Sequence, residues 1–108
     1  MKRFNVFMDD VRLGPMLQYN GMPGPFGEVP DPTWVIVRDI EVVKTLLRED
    51  LIENLSLDHD MGQDPENGYT LCAWMQDCDY WPHGVISVHS ANPTGKAKML
   101  ALLADNGR

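Results

Sequence analysis

Three short apolar runs in this chain end abruptly in residues that can do chemistry. Phe4-Asn5-Val6-Phe7-Met8 stops at Asp9-Asp10, Leu51 through Leu57 at Asp58-His59-Asp60, and Val85 through Val88 at His89-Ser90-Ala91-Asn92. Carboxylates hold divalent cations or share protons, and imidazoles exchange protons near neutral pH. One Asp after a strand is ordinary, because Asp caps turns, and a single histidine is more often a hydrogen-bonded core residue than a ligand. Four acids on neighbouring strands are harder to dismiss: like charges a few ångströms apart repel by roughly 4 kcal/mol at an effective dielectric of 20. A fold keeps such a group when a cation or a shared proton relieves it. Oxygen-rich, sulfur-free ligation suits Mg²⁺ or Mn²⁺, which makes Asp9, Asp10, Asp58 and Asp60 candidate metal ligands. His59 and His89, each beside those acids, are candidate acid–base groups.

A phosphate side can be read next to them. Asn92-Pro93 is a helix start, with Asn as the cap and Pro at the first helical position, and the free amides of such a start attract anions. Ser90, Asn92 and Arg12 could grip a phosphate there. Lys96, one turn inside, could add counter-charge, although a solvated lysine is the plainer reading. No Ser-His-Asp geometry can be read from the spacing, so Ser90 is taken as a hydrogen-bonding group. His83, in a Pro-Gly stretch, reads as ordinary surface.

These residues need elements to position them. Phe4–Met8, Trp34–Arg38, Leu51–Leu57 and Val85–Val88 read as short strands covered on both faces. Asp39 caps a helix whose apolar face is Ile40, Val43, Leu46 and Leu47. Leu71, Trp74, Met75 and Cys78 recur at helical spacing, and Ala97, Leu100, Ala101 and Leu103 give a last helix its buried face. Asp64-Pro65 and Asn67-Gly68 are turn signals. Residues 14–32 are so dense in Pro and Gly that no regular element is expected, only a long loop that could serve as a flap. Strands alternating with helices build a parallel sheet, and such sheets bind ligands outside their carboxyl ends. The fold expected is a small three-layer α/β domain spanning 1–108, with four carboxylates, two imidazoles and a hydroxyl on one edge.

The 108 residues carry 16 acidic against 9 basic side chains, for a net charge of −7, and no basic stripe. Extended nucleic-acid binding is therefore disfavoured, while a small phosphorylated ligand held through a cation is compatible. No apolar run approaches the ~18 residues of a membrane span. Asp9-Asp10 interrupt the only stretch that resembles a signal peptide, so a cytoplasmic protein is expected. Cys72 and Cys78 form no zinc spacing and read as reduced thiols, Cys78 in the core.

At these residues the chain resembles the receiver domains of response regulators, with Asp9-Asp10 similar to their acidic pair and Asp58 to their acceptor position. It is closer to a divergent branch, the cyclic-phosphate-processing receiver-like domains. Three blocks carry that resemblance: Phe7-Met8-Asp9-Asp10-Val11-Arg12, Leu55-Ser56-Leu57-Asp58-His59-Asp60-Met61-Gly62, and Val88-His89-Ser90-Ala91-Asn92-Pro93-Thr94-Gly95. The resemblance implies a flavodoxin-like parallel sheet of about four strands in the order 2-1-3-4, and action on cyclic phosphates derived from RNA ends or nucleotides. The fifth strand with its Lys, found in ordinary receivers, is missing here. His59 and Asp60 also crowd the acceptor position, and both departures argue against a phospho-aspartate switch.

The expected activity is a Mg²⁺- or Mn²⁺-dependent phosphoesterase opening a cyclic phosphate. Its rival is a catalytically silent receiver-like module that binds a protein partner through the 14–32 loop, such as a small phage-type inhibitor of a host enzyme. A phosphorylatable receiver ranks third.

Overall fold

The computed structural model describes residues 2–11, 16–18, 28–30 and 33–108. The elements run β1 (Phe4–Met8), β2 (Met16–Gln18), β3 (Glu28–Pro30), β4 (Trp34–Val37), α1 (Ile40–Arg48), β5 (Ile52–Leu57), α2 (Gly68–Cys78), β6 (Ile86–Val88) and α3 (Pro93–Asp105). Four strands form one parallel sheet in the order β4-β1-β5-β6, which is 2-1-3-4 when only those strands are numbered. This is a compact α/β receiver-like fold.

Register assigns each strand residue to a face. Val6 pairs with Val35 and Leu55, Met8 with Val37 and Leu57, and Leu57 with Val88. Parallel partners share a face and alternate residues change it. Apart from Val35, which is exposed on the edge strand, that row meets Ile40, Val43 and Leu47 of α1, Leu71, Cys72 and Met75 of α2, and Met99 and Leu103 of α3 in one buried cluster. The described helices therefore form a single layer on one side. Asn5, Phe7, Trp34, Ile36, Asn54, Ser56 and Ser87 occupy the opposite face by the same alternation. At ~1.5–3 kcal/mol for each fully buried aliphatic side chain, the helical side supplies most of the rigidity that holds the strand ends.

Local chemistry explains the helix starts. Asp39 accepts from the Glu41 amide at 2.7 Å, and Gln63 Oε1 accepts from the Ile40 amide at 2.9 Å, so the loop after β5 is tied to the start of α1. Asn67 and Thr70 form a reciprocal capping box on α2, which makes Gly68 the first helical residue as well as part of a turn signal. Asn92 caps α3, with Pro93 in the first turn.

Several expectations need correction. The segment 14–32 does hold regular structure, because β2 and β3 pair antiparallel. Its Gly and Pro residues flank these three-residue strands, and Pro30 sits at a strand end where a missing N–H is tolerated. Residues 14–15, 19–27 and 31–32 lie outside the described residues. The buried stripe of α3 is Gly95, Met99 and Leu103, with Leu102 partly buried, whereas Ala97, Leu100 and Ala101 are exposed. A side-chain-free Gly95 fits against His59 and a flexible Met99 against the start of α2, and the alanines turn to solvent. Cys72 is the core thiol, while Cys78, in the last turn of α2, is exposed. No described helix is long and apolar enough to cross a membrane.

Candidate functional site

The carboxyl edge of the central strands brings three of the singled-out side chains together. Asp9, Asp58 and His89 each offer a ligand atom, all within 4.8 Å of one another. Asp9 follows β1 and is fully buried. Its Oδ1 accepts from the Val11 amide at 2.9 Å, and its Oδ2 lies 3.0 Å from His89 Nε2. The Asp58 amide donates to the Met8 carbonyl at 3.0 Å, continuing the ladder between β1 and β5. Its Oδ1 accepts from the His59 amide at 2.8 Å. The His89 amide donates to the Leu57 carbonyl at 2.9 Å, which fixes His89 beside the strand end that carries Asp58.

Two buried carboxylates and an imidazole suit a divalent cation. Metal–ligand distances of ~2.0–2.2 Å place donor atoms about 3–3.5 Å apart, so the Asp9–His89 spacing needs no change and the wider limit needs a small closure. The nitrogen donor favours Mn²⁺ or a later transition ion over Mg²⁺, which prefers oxygen.

The other singled-out residues fall around this group. Asp10 is half-buried and turned by the pleat toward Gly62, where an added Cβ would meet its Oδ2 at 3.5 Å. Asp60 is exposed and bonds His59 Nδ1 at 2.7 Å. That hydrogen bond holds the Asp60 carboxyl below its usual range, with Asn92 reinforcing it against partial desolvation. Neither acid belongs to the three-residue group. His59 lies flat against the start of α3: a Cβ on Gly95 would fall 2.5 Å from its Cγ and 2.8 Å from its Nδ1. Asn92 Nδ2 approaches both Asp60 oxygens at 3.4 Å, while its Oδ1 accepts from the Gly95 amide at 2.9 Å. Ser90 Oγ accepts from the Asn92 amide at 3.0 Å. Ser90 and Asn92 thus build the cap that seats His59. Lys96 is half-buried and makes no ion pair among the described residues. Arg12 lies outside the described residues.

Three contributors escape the sequence reading. Ser56 Oγ lies 2.7 Å from His89 Nδ1, and the Phe7 ring stacks on the His89 imidazole with centroids 4.0 Å apart and planes 7° from parallel. Arg38, one residue past β4, is exposed and donates from Nη1 to the Asp9 carbonyl at 3.1 Å, with no ion pair among the described residues. The available signal was the strand period: Phe7 and Ser56 stand two residues before Asp9 and Asp58, on the same face.

Backbone approach completes the frame. The Gly68 amide donates to the His59 carbonyl at 2.8 Å. A Cβ on Gly68 would overlap the Asp58 carbonyl oxygen, so only glycine lets α2 start this close to the site.

A four-stranded 2-1-3-4 parallel sheet with an acid–histidine group at its carboxyl edge defines a receiver-type domain. A family model described as the cyclic-phosphate processing receiver domain matches residues 4–105, and the chain belongs to that family. No curated protein and no solved structure matches the chain.

Proposed function

We propose that this domain is a metal-dependent phosphoesterase acting on cyclic phosphates, with Asp9, Asp58 and His89 holding Mn²⁺ or a similar ion. The observation that carries the reading is the convergence of two buried carboxylates and an imidazole within 4.8 Å, on the edge where parallel sheets bind ligands. The family's association with cyclic-phosphate processing supplies the substrate class. When bound, a divalent cation there would polarise phosphoryl oxygens.

The chain's own residues would supply the rest. In the hydrolysis a water oxygen bonds to phosphorus and gives up a proton, one ester P–O bond breaks, and the released oxygen takes up a proton, so that the proton lost by the water is balanced on the leaving oxygen. His59 is suited to that proton, because Asp60 occupies its Nδ1 and leaves Nε2 to exchange. Arg38 would hold the phosphate at the rim through donors that its contact with Asp9 leaves unused. His89, singled out at first as an acid–base group, serves better as a ligand, since its Nε2 faces Asp9.

The closed set of contacts from Ser56 through His89 to Asp9 favours the rival reading, in which the site satisfies itself and the domain only binds a partner. One experiment separates the two. Mn²⁺ is titrated calorimetrically into wild type and Asp58→Asn, and hydrolysis of 2′,3′-cyclic nucleotides is followed by ³¹P NMR. The Asn retains an Oδ1 for the His59 amide, so the variant is expected to fold. Mn²⁺ binding and turnover in wild type, both lost in the variant, support the enzyme. A folded wild type showing neither hands the site to the binding reading.

A further inference from the structure

Ser56 sits inside β5 and is buried on the sheet face away from the helices. A hydroxyl removed from water costs free energy unless it is hydrogen-bonded. Among the described residues its side-chain partner is His89 Nδ1 at 2.7 Å. The stacked Phe7 ring fixes the plane of that imidazole, and its Nε2 stands 3.0 Å from Asp9 Oδ2. A neutral imidazole carries one proton, and its two nitrogens cannot both donate or both accept.

The two states required of His89 place that proton differently. In a neutral ring bonded to an ionised Asp9 the proton is on Nε2, and Nδ1 must accept. Ligating a cation through Nε2, the ring holds it on Nδ1, which must donate. A hydroxyl can rotate to meet either demand, whereas a carbonyl or carboxylate could only accept and an amide N–H only donate.

We propose that Ser56 is a positioning residue that keeps His89 Nδ1 bonded in both tautomers. His89 can then pass from its contact with Asp9 to a cation without losing the hydrogen bond at Nδ1. This inference rests on the metal reading. Partners that orient a ligating histidine typically contribute about 10–100-fold to metal affinity.

The test combines Mn²⁺ calorimetry with long-range ¹⁵N–¹H NMR of the His89 ring in the metal-free protein. Wild type is expected to carry the His89 proton on Nε2, with Nδ1 accepting a hydrogen bond. Ser56→Ala is expected to shift the Nδ1 resonance toward that of an unbonded nitrogen and to weaken Mn²⁺ binding about 10–100-fold. Ser56→Thr, which restores a hydroxyl, is expected to recover most of both. A metal-free wild type with a proton on Nδ1, whether or not Nε2 also carries one, overturns the inference, and this holds whether or not the variants fold. Equal Mn²⁺ affinity in wild type and Ser56→Ala overturns it while leaving the metal reading intact. Wild type that binds no Mn²⁺ overturns the metal reading, and this inference with it.

Discussion

Replacing Gly68 with Ala tests the closeness on which the site's geometry depends. In an unremarkable helix position, Gly→Ala stabilises by up to ~1 kcal/mol through helix propensity. Here the added methyl would overlap the Asp58 carbonyl oxygen, with the carbonyl carbon at 3.0 Å and Met99 Cε at 2.7 Å. Met99 can swing aside, but the carbonyl belongs to the strand end and cannot. The first turn of α2 must therefore lift by about 1 Å to restore ordinary contact. Overpacking of that kind costs ~1–3 kcal/mol, which exceeds the propensity gain over most of its range. It also stretches the 2.8 Å bond from the Gly68 amide to His59. With ~4–8 °C per kcal/mol for a domain near this size, Gly68→Ala should melt about 5–15 °C below wild type by circular dichroism. A variant melting at or above wild type would show that α2 does not start against Asp58, and the account of how Asp58 is held would fail.

Other perturbations address separate links. Arg38→Ala should raise KM for a cyclic phosphate about 10-fold or more, the scale of one lost charged hydrogen bond, with little change in kcat. Steady-state kinetics showing unchanged KM would remove Arg38 from the phosphate side. Burial pushes the Cys72 thiol up to about 12, so iodoacetamide at pH 8 should label only Cys78 in the native protein and both thiols in denaturant, as read by mass spectrometry. Asp50 is held below its usual range, first by the hydrogen bond from Arg3, then by the Arg3 and His83 charges against slight desolvation. A depressed carboxyl stabilises fully above its unfolded value of about 3.9 and loses that contribution as pH falls toward its folded value. The melting deficit of Asp50→Asn should accordingly be present at pH 6 and close on acidification below about pH 3.

The residues that converge were legible because they follow apolar runs, and a parallel sheet sends every such run to the same edge. Asp9, Asp58 and His89 meet for that reason although 80 positions separate the first from the last. Asp10 and Asp60 stand beside them in sequence but outside the group of three: Asp10 directs its carboxylate toward Gly62, and Asp60 pairs with His59. Ser56 was hidden because one hydroxyl in an apolar strand looks like filler until its cross-strand neighbour is known. The face of α3 was misplaced for a related reason. Alanine and leucine score alike as apolar, and only the packing against His59 and α2 shows that Gly95 and Met99 face inward. Asn92 was legible as a cap, and the structure employs it so; Ser90, read as a hydrogen-bonding group for a phosphate, accepts from the Asn92 amide.

The two faces of the sheet give the rim that carries Asp9, Asp58 and His89 a reading frame. Phe7 leads to Asp9, Ser56 to Asp58 and Ser87 to His89, each by a step of two along one side of the pleat. Exchanging a side chain in such a row alters the chemistry and spares the scaffold. Deleting a single residue from β1 would instead bring Asp10 into the place of Asp9 and tip every other side chain of that strand toward the wrong layer. Descendants of this sequence are therefore free to change which groups they carry at these tips, but not how many residues precede them.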